Sequence, residues 1–224
     1  MGRAMQTCAL TINAVLSPLE MNGPRAAMTT RDTGINGDDT ADPDAPLVRR
    51  VAQGDENACR LLMKRHLGRI FGVARRMLGN DNDAEDVAQE VFIRIWRNAA
   101  KWEPGRARFE TWIYRVTVNL CYDRLRRRKE VTVDEMPDVA DSALSAVERH
   151  AERDIAHAME AALASLPERQ RLAIVLCHYQ GLTNIEAAAL LELTVEALES
   201  LLARGRRSLR ALLRDQADGL LEAL

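Results

Sequence analysis

From Leu47 onward, apolar residues recur at three- and four-residue steps, the period of amphipathic helices. Ala58, Leu61, Leu62, Ile70, Val73, Ala74 and Met77 make the first stripe, and Gly79-Asn80 predicts a left-handed cap that closes the helix. The next stripe is Ala84, Val87, Ala88, Val91, Ile95 and Trp96, with acids crowding the first turn, where they complement the helix dipole. Asp86, Gln89, Glu90, Ile93 and Arg97 lie on another face, which the pattern alone reads as a solvated one. A loop at 101–108 leads to a helix from Phe109 to Lys129, whose core stripe is Phe109, Trp112, Ile113, Val116 and Leu120. Arg115, Asn119, Tyr122 and Arg126 form a second stripe on it at 4-3-4 spacing.

A second periodic region starts at Asp154, with Ile155, Ala158, Met159, Ala162, Leu163 and Leu166 as its apolar face. Pro167 fits the first position of the helix that follows, which runs through Arg171, Ile174, Val175 and Cys177 to Gly181. Thr183-Asn184-Ile185-Glu186 is a capping box opening a short helix, Asn184 to Leu191. A turn at Glu192-Leu193 follows, and Thr194 caps a longer helix from Val195 to about Leu213. That is the layout of a helix-turn-helix, although an ordinary helical hairpin fits the same pattern. Ile185, Ala188, Ala189, Val195, Leu198 and Leu202 are expected to pack the pair together. Glu196, Ala197, Glu199, Ser200, Ala203, Arg204 and Arg207 are expected on the exposed face.

Between and before these regions the period fails. Residues 29–46 are rich in Asp, Thr, Gly and Pro, so residues 1–46 read as a disordered N-terminal extension, with Met21 and Met28 as alternative starts. Residues 131–153, with Pro137 and spaced acids, read as a flexible linker. The expected fold is all-α: two small helical domains, 47–130 and 154–214, joined by that acidic linker, the second with a helix-turn-helix, and a C-terminal tail at 215–224.

Composition narrows the function. The 224 residues are 47% hydrophobic and only 4% aromatic, which suits packed helices. Cys8, Cys59, Cys121 and Cys177 form no Cys-x-x-Cys pair, and His66, His150, His157 and His178 add no metal-ligand spacing, so ordinary thiols and no metal are expected. No phosphate loop or nucleophile signature appears, hence neither an enzyme nor a cofactor is expected. No run approaches the ~18 apolar residues that span a bilayer, and polar Gln6, Thr7, Thr11 and Asn13 make a poor signal-peptide core. A cytoplasmic protein without membrane insertion is expected.

The net charge of −2 hides a strong asymmetry. Residues 47–130 carry 19 basic and 11 acidic side chains, whereas 131–154 carry 2 and 7. The basic region is therefore the place to look for polyanion binding. Arg124, Arg126, Arg127, Arg128 and Lys129 exceed what helix capping requires, and Asn119 and Tyr122 add hydrogen bonding and stacking on the neighbouring stripe.

Several stretches resemble the extracytoplasmic-function sigma factors of bacterial RNA polymerase. Asp-Ala-Glu-Asp-Val-Ala-Gln-Glu-Val-Phe-Ile-Arg-Ile-Trp (83–96) is similar to the family's polymerase-binding helix. Phe-Glu-Thr-Trp-Ile-Tyr-Arg (109–115) and Asn-Leu-Cys-Tyr-Asp-Arg-Leu-Arg-Arg-Arg (119–128) resemble its segment for promoter melting and −10 recognition. Leu-Pro-Glu-Arg-Gln-Arg (166–171) and Gly-Leu-Thr (181–183) resemble the opening of its −35-binding domain. The resemblance runs from about Leu47 to Leu213, with the acidic linker unmatched.

The resemblance implies roles. Asp86, Gln89, Glu90 and Ile93 would dock on the coiled coil of the polymerase's largest subunit, which replaces the solvated-face reading. The loop 101–108 and Arg115, Asn119, Tyr122, Arg126, Arg127 and Arg128 would engage −10 DNA as the duplex opens. Glu196, Glu199, Ser200, Ala203, Arg204 and Arg207 would face the −35 element. Core polymerase, including its flap region, promoter DNA and an anti-sigma factor are the implied partners, and a stress or envelope signal the implied trigger. The chain departs from the family at Glu199 and Leu201, where a basic residue is usual, and acids facing phosphate oppose binding.

Two other classes share some features. Another helix-turn-helix regulator would leave the first domain without a role. A sigma mimic that sequesters an anti-sigma factor would suit acids on the recognition helix but has no use for the 124–129 cluster.

Overall fold

The computed structural model of the protein describes residues 42–103, 108–131 and 158–222, with side chains as far as Glu130 and Arg214. The expected linker and most of the expected N-terminal extension lie outside the described residues. Every element among those described is helical. The helices are α1 (Ala45–Ala52), α2 (Glu56–Leu78), α3 (Asp81–Asn98), a 3-10 turn (Ala99–Lys101), α4 (Phe109–Val131), α5 (158–164), α6 (Glu168–Ile174, continued by a π turn, Val175–Tyr179), α7 (Asn184–Leu190) and α8 (Val195–Glu222).

The chain divides into two compact units. Among the described residues, the first comprises 42–66 with 89–103 and 108–112, and the second 67–88 with 113–131 and 158–222. In the first unit, α1 opens with Pro46 near its N-terminus and buries Ala45, Val48 and Val51, and Leu62, Val91, Phe92 and Ile95 supply further core. Phe109 is fully buried between edges of Trp102 (5.6 Å, 82°) and His66 (6.1 Å, 74°) and stacks on Trp112 (5.6 Å, 23°). Asp42 accepts the Phe109 N–H at the start of α4, satisfying one of that helix's orphan donors. Asp44 is buried, with His66 Nε2 2.8 Å from its Oδ2 and Arg65 on its other oxygen. Asp42–Pro46 are therefore ordered and packed, not part of a disordered extension. Their Asp/Pro composition reads as solvated only because the partners lie more than 20 residues away in sequence.

The second unit has its core in Ile70, Val73, Met77, Val87, Ile113 and Val118, and again in Leu163, Leu172, Leu176, Ala188, Leu198 and Leu202. Gly79 takes φ +67 and its N–H returns to Arg75 O at 2.8 Å, the left-handed cap read from the sequence. Gly205, buried in α8, lies where an added Cβ would be 2.7 Å from Ile174 Cδ1, so α6 and α8 meet at a point that only a bare Cα fits.

Some stripes are rotated from expectation. On α4, Tyr114, Thr117, Val118 and Cys121 are buried with Phe109 and Ile113, whereas Trp112, Val116 and Leu120 are only half-buried. Tyr114 and Thr117 count as polar in a pattern. Here their hydroxyls are satisfied, Tyr114 by Gln180 at 3.1 Å and Thr117 by the Ile113 carbonyl at 2.9 Å, which removes the cost of burying them. On α2, Leu61 is exposed. Pro167 is the N-cap of α6 rather than its first residue. Ala187 and Leu190 pack α7 in place of Ile185 and Ala189: Ile185 is 71% exposed and Ala189 is also on the surface. α8 continues past Leu213 to Glu222, through a stretch with no proline to stop it.

Candidate nucleic-acid interface

Helix α3 carries Asp86, Gln89, Glu90 and Ile93 at the i, i+3, i+4 and i+7 places that share one helix face. Asp86 is 59% exposed at its side chain and receives both terminal nitrogens of Arg124 on Oδ2, at 2.9 and 3.1 Å. Glu90 accepts from Arg94 Nε at 2.9 Å, one turn away, and both side chains are well exposed. Gln89 and Ile93 are half-buried, so Ile93 is less open than a solvated-face pattern implies.

On α4, Arg115, Asn119, Arg126, Arg127 and Arg128 are exposed and Tyr122 is half-buried. Arg115, Asn119 and Tyr122 line a cleft of about 390 Å³ together with Glu168, Arg169 and Glu192. Burial there pushes the Tyr122 hydroxyl pKa up. Arg115 Nη2 donates to Ala189 O at 3.2 Å and lies 3.9 Å from Glu192. Glu192 holds φ +56, the left-handed conformation of the α7–α8 turn.

The cationic end of α4 is not uniform. Arg126 pairs along its own helix with Asp123 (3.4 Å) and Glu130 (4.0 Å). Arg128 reaches elsewhere: its Nη1 donates to Leu78 O, at the end of α2, and its Nη2 lies 3.4 Å from Asp83. Arg124, not singled out from the pattern as a contact, donates to Asp83 Oδ1 at 2.6 Å as well as to Asp86. Burial lowers its pKa, but Asp86 and Asp83 more than offset that and the guanidinium is held more firmly protonated than usual.

The six α8 residues expected to face DNA, Glu196, Glu199, Ser200, Ala203, Arg204 and Arg207, all lie on the surface, at steps of three and four. The capping box is complete: Thr183 Oγ1 accepts from Glu186 N at 3.2 Å and Glu186 accepts from Thr183 N at 2.9 Å. Thr194 caps α8 by accepting from Ala197 N at 3.2 Å. Glu196 has its carboxyl pKa lowered, first by a backbone N–H and then by Thr194. Glu199 accepts from Asn184 Nδ2 at 3.2 Å across the two helices of the motif. Leu201, the second departure, is half-buried and lines the cleft, so its side chain serves packing.

The model of Sigma-70 region 2 matches residues 62–131 and that of Sigma-70 region 4 matches residues 156–209. The ECF RNA polymerase sigma factor SigW of Bacillus subtilis is 32% identical over 180 residues, covering 75% of this chain and 95% of SigW. The chain belongs to the ECF RNA polymerase sigma factors. The ECF sigma factor SigE of Mycolicibacterium smegmatis is 36% identical over 154 residues, which is 66% of this chain and 59% of SigE. Among solved structures, CnrH in complex with the cytosolic domain of CnrY superposes with a TM-score of 0.59 at 28% identity, covering 77% of this chain and 97% of CnrH. The all-helical sigma fold expected from the sequence is thus the fold observed.

Pattern reading missed several polar residues of this sigma factor's second unit. Arg171 donates to three carbonyls at helix ends, Met77 O (2.7 Å), Ala164 O (2.6 Å) and Leu166 O (3.1 Å), and burial lowers its pKa. Lys129 pairs with Glu168 at 2.6 Å, and Arg75 with Glu160 at 2.9 and 3.1 Å. For Arg124 the sequence carried a signal, an i, i+3 acid pair, Asp83 and Asp86, beside a run of arginines later in the chain; for Arg171, Lys129 and Arg75 it carried none. Cys59 and Cys121 are buried and Cys177 half-buried, all as free thiols, and burial pushes the Cys121 pKa up to about 12. No described helix is long and apolar enough to cross a membrane.

Proposed function

We propose that this ECF sigma factor binds RNA polymerase core through the α3 face Asp86, Gln89, Glu90 and Ile93 and directs it to promoters. The observation that carries the reading is that face itself: an exposed carboxylate, an amide, a second carboxylate and a half-buried Ile93 on successive turns of one helix. Such a mix of charge rim and apolar contact suits a protein partner. In this reading 47–130 is the domain for core binding and −10 DNA, and 154–214 the domain for −35 DNA. Arg115, Asn119, Tyr122, Arg126, Arg127 and Arg128 contact −10 DNA. A base drawn from the stack costs a few kcal/mol, which stacking on Tyr122 and backbone charge offset. Glu196, Glu199, Ser200, Ala203, Arg204 and Arg207 face the −35 element. The sigma factor makes no bond itself and works in the cytoplasm, where the polymerase supplies the chemistry. CnrH was solved bound to the cytosolic domain of CnrY, and by that likeness a protein of the anti-sigma class restrains this chain until a signal releases it.

The test is in vitro transcription with purified core polymerase on the region upstream of the protein's own coding sequence. Wild-type chain supports promoter-specific transcripts. The triple variant Asp86→Ala, Gln89→Ala, Glu90→Ala loses core binding while keeping its helical circular dichroism. Unchanged core affinity in that variant overturns the assignment of the face.

A further inference from the structure

We infer that Arg124 is a positioning residue for polymerase docking: it orients Asp86 so that one carboxylate oxygen is presented outward. The inference rests on the reading of Asp86 as a polymerase contact and adds the residue that prepares it.

The geometry carries the argument. A guanidinium that masked a carboxylate would use its fork on both oxygens. Here Nη1 and Nη2 of Arg124 converge on Oδ2 alone, at 3.1 and 2.9 Å. Among the described residues no partner reaches Oδ1, and the side chain stays 59% exposed. The anchored oxygen fixes the rotamer, and the open oxygen keeps its capacity for a cation on a partner protein. Arg124 is itself fixed. Its Nη1 donates to Asp83 Oδ1 at 2.6 Å, one turn earlier on α3, and Asp83 also lies 3.4 Å from Arg128. The carboxylate on α3 is thus set by a residue on α4, the helix that bears the basic cluster.

An exposed Asp freed from this anchor would sample several rotamers and pay to order one on binding. Restricting a side chain in advance is worth about three- to tenfold in affinity. A lysine at 124 carries a charge but has one nitrogen on a flexible stem, so it cannot bring two nitrogens onto Oδ2 and does not replace the arginine.

The experiment measures the affinity of the full chain for purified core polymerase in five forms: wild type, Asp86→Ala, Arg124→Ala, Arg124→Lys and the double variant Asp86→Ala/Arg124→Ala, each with a thermal melt. Asp86→Ala weakens binding. Arg124→Ala weakens it about three- to tenfold, Arg124→Lys weakens it as well, and Arg124→Ala adds nothing once Asp86 is gone. A purely structural arginine would give a further loss in the last comparison, because damage to the fold lowers affinity in either background. Additive losses, unchanged affinity in both Arg124 variants, or tighter binding overturn the inference. Should Arg124→Ala melt below the assay temperature, Arg124→Lys and Asp86→Ala/Arg124→Lys carry the same comparison. Unchanged affinity in Asp86→Ala overturns instead the reading of Asp86 on which the inference stands.

Discussion

Arg128 Nη1 donates to the carbonyl oxygen of Leu78, 3.1 Å away, at the last residue of α2. The last carbonyls of a helix have no partner within it, so this guanidinium caps a neighbouring helix while its Nη2 approaches Asp83. Arg127 and Arg126, one and two positions earlier, project into solvent. All three arginines are exposed, but only Arg128 also holds the end of a neighbouring helix.

The division is measurable. Arg126→Gln and Arg127→Gln are expected to leave the melting temperature within about 1 °C, since exposed ion pairs contribute little. Each is expected to weaken open-complex formation and to reduce its salt slope by about one. Arg128→Gln is expected to lower stability by about 1 kcal/mol, the cost of an unmade capping bond. Thermal melts beside salt titrations of open-complex formation check this; equal melting temperatures for all three would place Arg128 with its neighbours.

Asp44 sets an acid limit on the first unit. Burial raises its carboxyl pKa, but the hydrogen bond and charge of His66, then of Arg65, outweigh burial and bring it below the usual 3.8. A group lowered on folding adds stability above its unfolded pKa and loses it as pH falls through the folded value. The wild-type chain should therefore lose stability below about pH 4, and Asp44→Asn, lacking the titration, should lose less over the same range. Urea melts at pH 6, 4 and 3 compare the two; parallel losses would remove Asp44 from the acid transition. At pH 7 Asp44→Ala should cost about 3 kcal/mol, because it leaves buried His66 without its partner.

Gly205 and Ile174 give a sign that propensity alone gets wrong. Alanine in place of glycine inside a helix ordinarily gains up to about 1 kcal/mol. Here the new Cβ would lie 2.7 Å from Ile174 Cδ1 and 3.5 Å from Gln170 Cβ, and Ile174 is buried. Gly205→Ala is expected to destabilise by about 1–3 kcal/mol through overpacking. Ile174→Val removes the Cδ1 atom, so Gly205→Ala/Ile174→Val should recover most of the loss. Chemical denaturation of the four chains reads the coupling; a double variant no better than Gly205→Ala would rule out this contact as the cause.

The elements that could be read from the sequence are those decided within a turn or two. Gly79, the Thr183–Glu186 box and Thr194 close or open helices through bonds three or four residues long, and each appears as its local pattern dictates. The exposed face of α8 is equally local, since helix period alone places Glu196, Glu199, Ser200, Ala203, Arg204 and Arg207 on one side. What failed depends on distant partners. Tyr114 is buried because Gln180 meets its hydroxyl, Asp44 because His66 meets its carboxylate, and neither pairing leaves a mark in one sequence. Hydrophobicity places Ile185 in the core, yet it sits in the first turn of α7, before the buried Ala187, Ala188 and Leu190 begin. The arginines were legible as a cluster but not as individuals, because helix phase does not tell which long side chain turns back to Leu78 or Asp83.

Glu199, an acid on the α8 face proposed to meet DNA, has a local partner in Asn184 at 3.2 Å. Two effects compete there. The bond to Asn184 steadies the crossing of α7 and α8, and in the proposed −35 reading the carboxylate repels phosphate from the second turn of α8. An exposed neutral donor to a surface carboxylate contributes about 1 kcal/mol at most. A charge change beside DNA alters every sequence alike, whereas a carboxylate reading a cytosine amino group alters only one. Glu199→Gln keeps an oxygen for Asn184 and removes the charge; Glu199→Lys reverses the charge and removes the acceptor. With the chain bound to core polymerase, Glu199→Lys is expected to raise affinity for specific and scrambled −35 duplexes and to steepen the salt slope by about one. Glu199→Gln should give an intermediate affinity with wild-type stability. If Glu199 reads a base as well, the ratio of specific to scrambled affinity falls in both variants, because each loses the accepting carboxylate. Higher affinity at an unchanged ratio assigns the acid to repulsion alone. Affinities equal to wild type in both variants, at two salt concentrations, place Glu199 away from DNA and leave its bond to Asn184 as its whole role.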